Sequence, residues 1–437
     1  MKPHQFSLFK TIVLILAITA STTRSEAQVN SQSNQINLTE NPYISYTNPK
    51  QWLVDSSVYL TRPKAGYPDY VRAADLVPYL EGFNFRYPLI YETASSWGDP
   101  EGPVIGELYY DNELQDIDYT LKFTDRSHQP YTIWPIRFEF CDPYYIRFDH
   151  TLTVTSVGTE FHEREALNLG WPTTWKQDAE IYLTPIVEPL GKPQQAFPAQ
   201  AQSAPDEQVI VDLLSQWTNG QDPKALRPVH LAKFLAGMLV ENFQCSGRSM
   251  TNPPRTTVLR QLDKNFTGGR ARANMNGGFY HGFDIQPADE AAKTMRGSSN
   301  DMAALLTSIY RAAGIPARTI IGIDNEETGE DRIKSWTEFA IYDTELDLTI
   351  WVPVDIDQLR RRGIRAMQYN TQTWKYFGTN HDLNNIAPIA MYFQPPETFR
   401  TAKQPGLFGI DSEQPIPYFG EQIVAFSINR KPVRGGE

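Results

Sequence analysis

Cysteine is nearly absent from the chain: Cys141 and Cys245 are the two in 437 residues. A disulfide scaffold is therefore excluded, and stability must come from buried apolar surface. A single Cys141–Cys245 bridge and a pair of buried thiols remain equally open, because sequence alone does not fix the geometry. Metal spacing is absent too. The seven histidines form no His-x-x-x-His and there is no Cys-x-x-Cys, so no metal and no other cofactor is expected. Positive charge is scarce, with 40 Lys and Arg against 51 Asp and Glu, for a net charge of −11. Apart from Arg360-Arg361-Arg362 the basic residues are dispersed, which argues against nucleic acid as a partner.

Long hydrophobic runs are also missing. The apolar run at residues 11–20 is shorter than the roughly 18 residues a spanning helix requires. It follows Lys10 and precedes Ser25-Glu26-Ala27, small residues at both positions that a signal peptidase reads. Residues 1–27 are thus expected to be a secretory signal peptide, with an uncleaved anchor as the rival. Export to a periplasm or the extracellular space follows, with no stable membrane span after cleavage. Asn37-Leu-Thr and Asn265-Phe-Thr are glycosylation acceptor patterns if the source modifies its exports.

What the chain has in quantity is aromatic residues, 12% with 22 Tyr and 22 Phe, a composition that favours β-rich packed domains over disorder. Residues 28–42 are a polar lead-in. Residues 43–188 hold short β-type runs separated by turn-rich spacers. One run alternates Ile146, Phe148 and His150 with Arg147, Asp149 and Thr151, the period of a half-buried strand. A sandwich-like β domain is expected there, with a local helix near residues 69–80. Residues 189–206 are a Pro/Ala/Gln linker. Residues 207–217 and 228–240 read as helices, the second with Leu231, Phe234, Leu235, Met238 and Leu239 on one face. Residues 255–282 read as a long loop, and His281 within it as an ordinary loop histidine. A domain over 207–395 and a C-terminal extension over 396–437, with a β-like run from Gln422, complete the expected layout.

The chain is organised around residues 297–355. Met302, Leu305, Leu306, Ile309, Tyr310 and Ala313 fall at helical spacing, so 299–313 should be a helix with one buried face. Ser298 and Asp301 form a capping-box pattern at its start. Gly314 and Pro316 end it. Residues 319–323, 336–342 and 349–355 read as strands. The expected class is α+β, a helix packed on an antiparallel sheet, preceded by the sandwich-like β domain.

Gly297, Ala303, Arg311 to Arg318, Trp336, Glu338, Trp351, Pro353 and Asp355 stand in the order and spacing of a known pattern. The chain resembles the transglutaminase-like superfamily, a branch of the papain-like cysteine enzymes. The resemblance implies acyl transfer through a cysteine thiolate, with a histidine and an aspartate behind it. At the cysteine position stands Ser299, at the histidine position Lys334, and Asp355 retains the aspartate. A serine hydroxyl is far less acidic than a thiol and needs a base in contact. Lys334 serves only when neutral, and a neighbouring carboxylate favours its charged form. Ser299, Lys334 and Asp355 are therefore the candidate site residues. The expected function is non-catalytic: binding a peptide, a protein or a cell-envelope polymer, or scaffolding. The alternative is an amide hydrolase or acyl transferase using a Ser299/Lys334 pair. Cys245 as a relocated nucleophile is disfavoured, since it follows a helix instead of opening one.

Overall fold

In the computed structural model the described residues are 41–61, 82–90, 92–98, 105–110, 113–115, 120–123, 130–137, 145–183, 206–246, 250–251, 279–280, 282–283, 285–326, 333–391, 409–411 and 421–430. The signal peptide expected over 1–27, the expected lead-in up to residue 40, the helix expected near 69–80, the expected linker up to residue 205, Cys141 and His281 lie outside them.

The N-terminal region is β-rich. Long strand β1 (Ile44–Thr61) is followed by β2 (Gly82–Pro88), β3 (Ile105–Tyr110), β4 (Pro130–Arg137) and the second long strand, β5 (Tyr145–Phe161). β1 and β5 pair antiparallel along almost their whole length, from Ile44↔Phe161 to Thr61↔Tyr145. They form the middle of one sheet, and β3 joins it on β5. β2 and β4 belong to another sheet. Ile146, Phe148 and His150 are all buried, as their alternation in the sequence requires. Phe148 touches rings from the other sheet: Phe85 with centroids 4.8 Å apart and Trp134 at 4.9 Å.

The second half mixes helix and sheet. Helices α1 (Glu207–Trp217) and α2 (Pro228–Asn242) lie at the expected places. A short helix α3 (Ala288–Thr294), which apolar periodicity did not signal, precedes the central helix α4 (Ser299–Ala312). The sheet against α4 is antiparallel, with strands β6 (Ala317–Asp324), β7 (Ile333–Asp343), β8 (Leu348–Val354) and β9 (Ile386–Ala390) in the order β8-β7-β6-β9. Met302, Leu305, Leu306, Ile309 and Tyr310 are buried in one core with Phe339, Ile341 and Val352 of the sheet. A hydroxyl seam docks helix to sheet. Thr337 donates to the Ala303 carbonyl at 2.8 Å, and Thr307 bonds Thr319 at 2.8 Å. Such close approach suits the small side chain of Ala303. Helix α5 (Ile356–Arg361) follows β8 directly.

The C-terminal strand β10 (Glu421–Arg430), which contains the β-like run from Gln422, adds to the first sheet beside β1, pairing from Trp52↔Arg430 to Thr61↔Glu421. Residues 374–380 also bind both halves: Asn380 and Thr159 exchange backbone bonds, and Gly378 donates to Pro353 O at 2.7 Å. Gly378 has φ +74, and a Cβ there would stand 2.4 Å from the Phe161 ring, so only glycine fits this crossing. Among the described residues, no helix is long and apolar enough to cross a membrane.

Candidate active-site region

The start of α4 is built by hydrogen bonds that the sequence made legible. Ser298 is the N-cap; its hydroxyl accepts from Asp301 N, and the Asp301 carboxylate accepts from Ser298 N at 2.7 Å. Asp301 also accepts from Gln286 N at 2.8 Å, which ties the chain entering α3 to the start of α4. This explains Gly297: a Cβ there would lie 2.3 Å from Asp301 Oδ2. Ser299 is the first residue of α4 and half-buried. Its hydroxyl is not the cap; Ser298 takes that role. Asn300, fully buried, accepts from Ser335 Oγ at 2.8 Å. That bond fixes the first turn of α4 against β7 one residue from Lys334.

Lys334 stands on β7 opposite Gly322 and is half-buried. Asp355 follows the last residue of β8 and is the N-cap of α5, its carboxylate accepting from Gln358 N at 3.1 Å. Burial raises the Asp355 carboxyl to about 6, while the Gln358 N–H and the Lys334 charge pull it down. An attractive influence of Lys334 is thus present, but the direct Lys334–Asp355 ion pair suggested by their side-by-side strands is not formed among the described residues. The physical reason is local. Asp355 has left the strand, and its carboxylate is turned to the free N–H groups of α5.

The residues that match the superfamily pattern away from the chemistry form a buried polar cluster. Glu338, fully buried, accepts from Trp336 Nε1 at 3.1 Å and from Ala94 N at 3.0 Å, and pairs with Arg318 at 2.8 Å. The Arg318 guanidinium stacks on Trp351 at 4.1 Å. Arg311 donates to Ala317 O at 2.6 Å. Their positions in the sequence therefore report a structural knot that joins β6, β7 and β8 to the N-terminal region through Ala94.

Sequence reasoning missed one neighbour. Cys245 pairs in parallel with Gly297, and Ser246 N donates to Gly297 O at 2.6 Å, so Cys245 lies beside the approach to Ser299. Chain order gave no sign of this, since the two residues stand 52 positions apart. The thiol is free and half-buried. Burial pushes its pKa up, Asp357 and Asp301 add to that, and Arg360 and Arg361 oppose it. A thiol held in the protonated form is a poor nucleophile. No group of three or more His, Cys, Asp or Glu suited to a metal occurs among the described residues.

No curated protein matches the sequence. Among solved structures, a candidate cysteine protease from Cytophaga hutchinsonii is 12% identical, with 90% of this chain and 94% of that chain covered and a TM-score of 0.44. A candidate protease from Parabacteroides distasonis is 10% identical, covering 69% and 66% with a TM-score of 0.15. The family model of the transglutaminase-like superfamily matches residues 270–356, a span that runs from before α3 through β8 and contains Ser299, Lys334 and Asp355, so this stretch is similar to that family.

Proposed function

We propose that this is an exported protein in which a sandwich-like β domain (43–188) precedes a transglutaminase-like domain (207–395) that has lost its catalytic chemistry. It binds a peptide, a protein or a cell-envelope polymer, or serves as a scaffold. The contacts of Phe85 and Trp134 with Phe148 support the sandwich. The apolar run before Ser25-Glu26-Ala27 supports export.

The observation that carries the loss of catalysis is the use made of Asp355. Its carboxylate caps α5, and the side chain before it in the relay is a half-buried lysine. A lysine becomes a base only when deep burial strips its proton. Ser299 has the helix N-terminus, but a partial charge of that size does not ionise a hydroxyl. One observation favours the alternative Ser299/Lys334 hydrolase: Lys334 has no carboxylate in ion-pair contact among the described residues. The test is binding of a pooled decapeptide library to wild type and to Ser299→Ala. Equal capture supports a non-catalytic binder. Loss of capture in Ser299→Ala, or cleaved peptides in the wild-type pool, contradicts it.

A further inference from the structure

The basic run Arg360-Arg361-Arg362 is unusual in a chain of net charge −11, and the fold places it beside the candidate site. Arg360 and Arg361 close α5, where cations complement the helix dipole, and both bind Asp357 at 2.7 Å. One carboxylate thus serves two guanidinium groups. Arg362 lies over the Tyr376 ring at 4.9 Å, and Lys375 lies over the same ring at 4.8 Å. Tyr376 is held to the site by its backbone, since its carbonyl accepts from Asp355 N at 3.0 Å. Its hydroxyl donates to Asp382 at 2.9 Å. Lys334 lies near enough to Asp355 for its charge to act on that carboxyl.

The charges do not cancel. Arg360 and Arg361 share Asp357, and Arg362 and Lys375 share Tyr376 with Asp382; with Lys334 and Asp355 beside them and Asp301 nearby, five cations stand against four carboxylates, an excess of one positive charge. Arg361, Arg362 and Lys375 are exposed. Like charges held together on an acidic protein repel one another unless an anion joins them. Guanidinium forks bind carboxylates, as they bind phosphates, with two parallel N–H···O bonds. The interspersed aspartates would repel a continuous polyphosphate, and this favours spaced carboxylates over nucleic acid.

We propose that this cation cluster, around the junction of Asp355 and Tyr376, recognises the side-chain carboxylates of an acidic peptide segment. The inference rests on the peptide-binding reading above and names the class of peptide. Capture of a random decapeptide library by the purified chain tests it, with a charge-reversed variant, Arg361→Glu/Arg362→Glu/Lys375→Glu, as comparison. The expected result is Asp and Glu enrichment in the wild-type pool that disappears in the variant. A synthetic peptide from that pool should bind the variant about tenfold more weakly, as for reversal of exposed charge-assisted contacts. Raising the salt should also weaken its binding to wild type. Circular dichroism of the variant confirms that it is folded; if it is not, the single variant Lys375→Glu, on an exposed loop residue, gives the same readout. Enrichment without acidic bias overturns the inference and leaves peptide binding standing. No enrichment over heat-denatured protein overturns both. Displacement of the acidic peptide by an oligonucleotide that binds more tightly overturns the inference in favour of a polyphosphate ligand.

Discussion

Lys334 lies close enough to Asp355 to draw its carboxyl pKa down, yet Asp355 spends its oxygen on Gln358 N at 3.1 Å and makes no ion pair with the lysine. Burial dominates and leaves the carboxyl near 6 instead of 3.8. The sign follows directly. A carboxyl whose pKa is raised by folding supports the fold below its unfolded pKa, and that support is lost as pH rises through about 6. Asp355→Asn keeps a capping side chain and removes the half-buried charge. Asp355 is half-buried, so solvent screening reduces the gain: the variant should be more stable than wild type at pH 7 by about 1 kcal/mol, and equal to it near pH 4. Urea unfolding at the two pH values checks this. A large destabilisation at pH 7 would mean that the charge of Asp355 is needed to hold Lys334.

The two serines at the start of α4 should behave differently. Ser298→Ala removes the N-cap hydroxyl and should cost about 1 kcal/mol. Ser299→Ala removes a half-buried hydroxyl that does not cap the helix and should stay within about 0.5 kcal/mol of wild type. Paired thermal or urea melts separate them. The reverse order would mean that Ser299 holds the helix terminus.

The sequence made this helix legible because several local signals agreed: capping box, apolar spacing and the Gly314–Pro316 stop. The helix of residues 299–313 is found at Ser299–Ala312, with Ala313 as its C-cap. The strands read at 319–323, 336–342 and 349–355 are found at Ala317–Asp324, Ile333–Asp343 and Leu348–Val354. The last differs for a reason: Asp355 begins the cap of α5, a role that β-type composition does not reveal. Long-range pairings were not legible. That β10 closes on β1, or that Cys245 sits beside Gly297, depends on tertiary contacts no local pattern encodes.

His150 should make the N-terminal β region acid-sensitive. It is fully buried, neither ring nitrogen has a hydrogen-bond partner among the described residues, and its ring lies 4.3 Å from that of Tyr87. Burial lowers its pKa from 6.5 to about 3. Its contribution to stability is therefore complete above pH 6.5 and is lost as pH falls toward 3, at up to about 1.4 kcal/mol per pH unit. His150→Phe keeps an aromatic ring and should flatten this limb of the stability profile. Urea midpoints measured from pH 7 to pH 4 supply the comparison, and parallel profiles for the two proteins would contradict the assignment.

The Arg318–Glu338 pair should matter more for folding than any residue in the three catalytic positions. Glu338→Ala leaves the Arg318 charge buried and removes the acceptor of Trp336 and Ala94. The expected cost is about 3–5 kcal/mol. Soluble yield and urea midpoint give the readout. A loss below 1 kcal/mol would show that the buried charge finds another partner.

The central claim is that Ser299 is no nucleophile. Its most direct test is labelling of the purified chain with a fluorophosphonate, followed by peptide mapping, alongside turnover of amide substrates. No label on Ser299 and no turnover are expected. Stoichiometric labelling of Ser299 that is lost in both Ser299→Ala and Lys334→Ala would contradict the claim and establish a Ser–Lys hydrolase.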